Sequence, residues 1–464
     1  MKRTWIRVCF VPLAFLVVEA TAFGQDPQET PPFMTLDISR SEVPLEFGLA
    51  ITDAEAEFRI DVDRLALVDN PTVLTLGLYE GVRLEAHRFM SRPYVAQGVD
   101  GVVDSWTSWT GNLYFPDLLG ADVPAGVVML NDHGSHITGM IQVDATLEDF
   151  QIVGNSKGEH RLIRMKRVRR PSCALQGEVK TSSGSTPGPS TDSLMNSQSA
   201  RVDSRALMLD DEVEIKVLAI IPDTSGGAID FIEDSLSWAN SIFAYSGMST
   251  VSYELAILGN ISTIPQKDDV IEYLHWMNTT AGRSQIEMFR DSTFFHCHAD
   301  MVVLLVQPPL EQPWCGAANL RYWNGQRDAV YDNVVDNLDW DTDEPAYSVG
   351  VVGCGLNDYT FAHELGHNFG LRHDVTDHGE DEDDWGYTPI DNDPRGHEFA
   401  TYMGPRATVM GCWGEFAPCY RTPYYSDPDL IWGGYYPTGN RNDPYNADVV
   451  NALENHVVEY SLFR

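Results

Sequence analysis

The feature that most constrains this chain is the run His363-Glu364-Leu365-Gly366-His367-Asn368-Phe369-Gly370-Leu371-Arg372-His373-Asp374. Read as a helix, it places His363 and His367 one turn apart on a shared face, so both imidazoles reach one point. Glu364 is rotated off that pair, close enough to touch a water held there without ligating the same ion. Gly370 tolerates the left-handed conformation that ends a helix. The chain then turns back, and His373 arrives as a third ligand. Three neutral imidazoles leave one position of a tetrahedral zinc ion open, which is a catalytic arrangement and not a structural one. A bare H-E-x-x-H arises by chance, and a lone helical histidine is usually a satisfied side chain. Here the three histidines, the glutamate and the glycine agree in type and spacing.

The full pattern H-E-x-x-H-x-x-G-x-x-H resembles the signature of the metzincin metallopeptidases. Asp374, directly after the third histidine, is similar to the adamalysin/reprolysin group and its secreted bacterial relatives. The astacin branch carries glutamate there and a tyrosine two residues past its methionine turn; this chain has Asp374, and Cys412 two residues past Met410. The resemblance covers about residues 212–464. It implies that Met410, within Ala407-Thr408-Val409-Met410-Gly411, is the methionine turn packed beneath the metal. It implies that Asp374 orients neighbouring groups, that the segment Gly316-Ala317-Ala318-Asn319 is the sheet edge receiving substrate, and that the loop 411–423 shapes a side-chain pocket. The chemistry expected is peptide hydrolysis by a zinc-activated water, with Glu364 as general base. The expected fold is an α+β or α/β domain with a mixed sheet, a zinc helix and a methionine turn.

With 464 residues and a 43% hydrophobic fraction, the chain is long enough for two domains. Its formal charge is −37, from 68 acidic and 31 basic residues. Such a surface repels nucleic acid and anionic membrane. Residues 1–24 read as a secretory signal, with Lys2, Arg3 and Arg7 before an apolar run from Val8 to Val18 that is too short to span a bilayer. The expectation is a secreted, monomeric chain without a membrane span. A buried N-terminal helix is the alternative.

Residues 25–170 are read as β-rich, and the order of their pieces resembles the pro-segment of secreted reprolysin-like proteases. Short apolar stretches alternate with turns at Val73–Leu76, Ser105–Phe115, Gly126–Leu130, Ile137–Val143 and Phe150–Gly154, which suggests successive hairpins. An independent β-sandwich is the rival. The run from Arg161 through Arg164, Lys166 and Arg167 to Arg170 is either a processing site or a solvated basic patch. Residues 171–211, rich in Ser, Thr, Gly and Pro, read as a flexible linker. From 212 onward the domain opens with a strand over Val213–Ile221. A helix from Gly226 to Met248, a strand over Val251–Leu258, a second helix from Asp268 to Arg290 and a strand over Ala299–Val306 follow.

After removal of Cys9 with the signal, six cysteines remain: Cys173, Cys297, Cys315, Cys354, Cys412 and Cys419. Their connectivity is not decidable from spacing. Cys412 and Cys419 are close enough to staple the loop after Met410. The resemblance to bacterial relatives implies a Cys315–Cys354 pair. Cys173 has two readings: a latency thiolate in the open zinc position of a zymogen, or a disulfide partner for Cys297. The acidic stretch from Asp377 to Asp393 could bind calcium, but its spacing matches no EF-hand, and a solvated loop is favoured. The leading function is a secreted zinc endopeptidase made as a zymogen, acting on protein or peptide. A zinc hydrolase of a non-peptide amide is a second reading. An adhesion protein with a vestigial metal site is a third, and the intact Glu364 argues against it.

Overall fold

A computed structural model of the chain describes residues 33–37, 54–79, 82–98, 103–116, 124–144, 146–165, 213–221, 226–248, 250–259, 264–290, 299–307, 315–319, 346–352, 354, 359–371, 373, 396–401, 404–411, 420–432, 436–439, 446–447 and 450. The expected signal, linker, acidic stretch, Cys173, Cys297, Asp374, Cys412 and Cys419 lie outside these residues. Among the described residues, no helix is long and apolar enough to cross a membrane.

The N-terminal strands are β1 (Met34–Asp37), β2 (Ala54–Val62), β3 (Val73–Tyr79), β4 (Val82–Gly98), β5 (Val103–Tyr114), β6 (Gly126–Asp132), β7 (Ile137–Val143), β8 (Glu148–Gly154) and β9 (His160–Met165), with a short helix α1 (Arg64–Val68) between β2 and β3. From β3 to β9 each strand pairs antiparallel with the next, as the expected run of hairpins, but they do not form a sandwich. Their order β4-β3-β1-β2-β9-β8-β7-β6-β5 closes on itself, because β5 pairs with β4. Closure removes exposed edges, the usual liability of a sheet. All pairings in the ring are antiparallel except the short β1–β3 contact.

Alternation along each strand explains the barrel's two surfaces. Trp109, Leu113, Val128, Leu130, Ile137, Ile141 and Val143 point into an apolar interior with Leu84 and Ala86. The intervening Trp106, Val127, Met129 and Met140 face outward into a second core. In β4 the register shifts between Arg88 and Met90. That bulge moves even-numbered residues to the other face, so Leu84 and Ala86 lie inside whereas Tyr94 and Ala96 lie outside. Arg161 and Arg164 belong to β9 and pair with Glu57 and Glu55. The start of the basic run is thus a barrel strand, which neither sequence reading anticipated.

The second half opens with β10 (Val213–Ile221), α2 (Gly226–Tyr245) and β11 (Val251–Gly259), close to the expected limits. Asp268–Arg290, expected as one helix, is two: α3 (Val270–Asn278) and α4 (Thr280–Arg290). Thr279 between them is extended, and its Oγ1 accepts a bond from the Gly282 amide at 3.1 Å. A Cβ on Gly282 would lie 2.1 Å from the Trp276 carbonyl oxygen, so the tight corner requires glycine. Then come β12 (Met301–Val306), β13 (Gly316–Ala318), β14 (Tyr347–Val351) and α5 (Thr360–Asn368). Small strands close the described fold: β15 (Glu398–Thr401), β16 (Gly404–Ala407), β17 (Tyr420–Arg421), β18 (Ile431–Trp432) and β19 (Tyr436–Pro437).

The second half's sheet runs β13-β14-β12-β10-β11. Its strands are parallel except β13, which lies antiparallel at the edge. β12 is buried along its whole length, as its unbroken valine and leucine run requires. Helices α3 and α4 cover one face of the sheet, and α2 and α5 the other. Strand β4 also joins this sheet, since Gln97 and Gly98 pair in parallel with Ala256 and Ile257 of β11.

α2 is buried from Phe231 to Phe243. Its apolar stripe, Ile232, Leu236, Ala239 and Phe243, meets the sheet. Its opposite stripe is polar and meets the barrel. Trp106 Nε1 donates to Ser237 Oγ at 2.9 Å, Thr110 and Ser241 hydroxyls pair at 2.9 Å, and Asn131 and Thr138 both donate to Asp234. His133 Nδ1 lies 2.9 Å from Glu233 and His136 Nε2 lies 3.1 Å from Asp230.

Burial opposes a charge on His133, but the bond to Glu233 and the fields of Asp234, Glu233 and Asp230 outweigh it and raise its pKa to about 9. Burial raises Asp234 to about 7 against the opposing pull of His133, Thr138 and Asn131. Burial and His136 lower His160 to about 4.

The folded-state rise at His133, from 6.5 to about 9, gives stability that is complete below pH 6.5 and lost as pH climbs through 9. Asp234 acts in the same direction between 3.8 and about 7, and His160 in the opposite direction between about 4 and 6.5. Above pH 7 His160 has finished titrating, while His133 and the upper half of the Asp234 titration both lower stability as pH rises. The wild-type urea midpoint should therefore fall between pH 7 and pH 9, and His133→Gln should flatten that fall. Equal falls in both proteins would contradict the His133 assignment.

Candidate metal centre

α5 is nine residues long and carries its functional groups in the protein interior: His363, Glu364 and His367 are at most 2% exposed. Its first contact is unusual. Tyr359, at the N-cap, has φ +55°, a left-handed conformation that costs a non-glycine residue about 1–3 kcal/mol. Its hydroxyl donates to Gln142 Oε1 of the barrel and its ring meets Trp238 edge-on, so the surroundings hold that conformation. At the other end, Gly370 has φ +86° and turns the chain back as expected. Midway, Tyr425 donates to the Ala362 carbonyl at 2.9 Å.

The turn brings His373 to the other two histidines. The three Nε2 atoms form a triangle with sides of 2.9, 3.1 and 3.1 Å. His363 Nδ1 donates to the Val409 carbonyl and His367 Nδ1 to the Leu371 carbonyl, both at 2.8 Å. Each bond fixes the tautomer and leaves the Nε2 lone pair free for a metal. Burial, then the neighbouring Arg421, His367 and His373, hold the His363 pKa well below its ordinary value, so the ring is neutral. Three lone pairs aimed at one another repel unless a cation sits among them. Nitrogens about 2.0–2.1 Å from one zinc stand a little over 3 Å apart in tetrahedral geometry, close to this triangle. The donor set therefore fits zinc.

Glu364 lies beside the triangle. Among the described residues its two buried carboxylate oxygens meet no hydrogen-bond donor. Burial raises its pKa well above the ordinary carboxyl range, partly offset by Arg421. Edge strand β13 passes directly over it: a Cβ on Gly316 would stand 2.5 Å from Glu364 Oε1. Asn368, at the end of α5, donates to the carbonyls of Asn319 and Tyr347 at 3.0 and 3.1 Å and so ties the helix to β13 and β14. Cys315 and Cys354 form a disulfide, the pair implied by the resemblance, linking the start of β13 to the approach to α5.

Met410, which the resemblance implies to be the methionine turn, lies against α5 at Gly366. A Cβ on Gly366 would meet its Sδ at 2.6 Å, so the glycine in mid-helix admits the thioether. Gly366 costs the helix about 1 kcal/mol relative to alanine, and that local cost was the sequence signal of a close approach. Sequence reasoning also missed Asn368 and Arg421. The latter is 3% exposed and donates Nε to the Gly411 carbonyl at 3.0 Å. Nothing in a lone arginine beyond the motif distinguishes it; only folding brings it near His363 and Glu364.

A second group, His133, His136 and Asp230, brings ligand atoms within 4.8 Å of one another. Its rings differ from the zinc triad, because their nitrogens already face protein partners: Glu233 and Thr138 for His133, Ser135 and Asp230 for His136. This cluster is an ion-paired contact between barrel and α2.

Residues 236–411 match the Reprolysin_5 model of metallo-peptidase family M12. That segment, from α2 to the turn at Met410, is similar to the reprolysin-like metallopeptidases. The chain is also 34% identical over 129 residues to the peptidyl-Asp metalloendopeptidase of Pseudomonas aeruginosa, a stretch covering 26% of this chain and 19% of that one. It thus spans about a fifth of that relative's length. The crystal structure of metalloproteinase-II from Bacteroides fragilis aligns over 79% of this chain and 92% of its own, at 11% identity and a TM-score of 0.35, too slight a likeness to add to the fold description. The family match leaves the barrel outside its limits.

The purified chain should contain about one zinc ion. By metal analysis, His367→Ala should lose most of it. Full retention in that variant would mean that the ligands lie elsewhere.

Proposed function

We propose that this protein is a zinc endopeptidase, secreted and made as a latent precursor. The observation that carries the reading is the converging histidine triad beside a buried carboxylate that meets no protein donor, both under a sheet edge. His363, His367 and His373 would hold zinc. When bound, zinc lowers the pKa of a coordinated water and polarises the scissile carbonyl.

The chain's own groups supply the rest. Glu364, poorly solvated and next to that position, accepts the proton of the attacking water and passes it to the leaving amine nitrogen. Strand β13 leaves one edge unpaired among the described residues, and an extended peptide adds there through backbone bonds. Gly316 lets that strand pass over Glu364 and brings the substrate backbone to the base. The disulfide and Asn368 fix the distance between edge and helix.

The match to a peptidyl-Asp metalloendopeptidase supports peptide substrates, and cleavage beside aspartate is the first specificity to try. The N-terminal charge and apolar pattern supports secretion, and latency would follow if Cys173 supplies a thiolate to the open zinc position in place of a disulfide with Cys297. Asp374 is proposed to orient groups around His373.

Casein hydrolysis should be abolished by a zinc chelator and restored by added zinc. Glu364→Gln should retain zinc while losing on the order of 10²–10⁴ in rate. Near-normal turnover in that variant would overturn the role given to Glu364. Zinc-dependent cleavage of small amides with none of casein would favour the non-peptide reading.

A further inference from the structure

A removable pro-segment leaves behind a catalytic domain whose own core is closed. Here the core is not closed without the barrel. α2 forms one wall of the metallopeptidase half, yet its polar stripe finds its partners on barrel strands. Ser237 accepts from Trp106, Ser241 pairs with Thr110, and Asp234 accepts from Asn131 and Thr138. The apolar groups between them, Trp106, Val127, Met129 and Met140, belong to the same buried cluster as Phe243, Phe369 and Met410.

The contact also reaches the scaffold of the metal centre. Gln142 of β7 accepts from Tyr359 at the head of α5 and donates to the Arg421 carbonyl at 3.3 Å. Asp144 lies 3.2 Å from the guanidinium of Arg406, which is fully buried beside the methionine turn. Backbone pairing of β4 with β11 adds a continuous sheet edge to side-chain contact. Loss of the barrel would expose an apolar face and strand several buried polar groups at once.

We infer that the barrel is a permanent partner of the metallopeptidase half. Cutting the connector between Met165 and Val213 yields two fragments that stay together as one particle.

The test is a site-specific protease sequence placed within residues 181–191 of the full-length chain. After complete cutting, verified on a denaturing gel, size-exclusion chromatography at neutral pH should show both fragments in a single peak at the volume of the uncut chain. Trp106→Ala should weaken the cut particle by about ten-fold or more on dilution, because it truncates an aromatic anchor at the contact. Separation of the unsubstituted fragments, at concentrations where the uncut chain is monodisperse, overturns the inference whether or not the catalytic fragment stays folded. Chromatography is independent of catalysis, so this outcome does not depend on the peptidase reading.

Discussion

Three buried imidazoles must share one small space, and the rest of the second half of the chain is arranged around that demand. Desolvation keeps the His363 ring neutral, and lone pairs that converge on one point are unfavourable without a cation. The backbone meets part of this cost in advance. The Val409 and Leu371 carbonyls take the Nδ1 protons of His363 and His367 and fix both tautomers. One of these carbonyls comes from the methionine turn and the other from the chain reversal after Gly370. The ligand geometry therefore depends on two loops as well as on the helix.

Those loops depend in turn on close approaches. Gly366 admits Met410 under α5, and Gly316 lets the edge strand cross Glu364. Both glycines trade conformational entropy for proximity. The helix is held from three other sides: Tyr425 bonds its backbone, Asn368 binds it to the sheet edge, and Tyr359 anchors its first turn to the barrel. A nine-residue helix is marginal in isolation, so such tertiary contacts are what maintain it.

The site was more legible in the sequence than the architecture around it. The spacing of His363, His367, Gly370 and His373 encodes a local geometry, and local geometry survives folding. The β-hairpin pattern correctly located β3, β5, β6, β7 and β8, but ring closure depends on the pairing of β4 with both β3 and β5, which no local pattern carries. The expected alternation of polar and apolar residues is muted in β7, buried on both faces, because α2 covers the outside of the barrel. The single helix expected over 268–290 failed at Thr279, where side-chain capping of Gly282 defeats continuous periodicity. Asp234, Ser237 and Ser241 would ordinarily signal a solvent face; here they signal a polar contact with a second body of the same chain.

The central claim is that three histidine nitrogens hold one zinc with a fourth position open. Zinc-edge X-ray absorption on the Cys173→Ser protein tests it most directly, since that substitution removes the thiol proposed to compete for the open position. The account predicts three imidazole nitrogens and one light oxygen scatterer at about 2.0–2.1 Å. A sulfur shell near 2.3 Å, or fewer than three imidazoles, would contradict it.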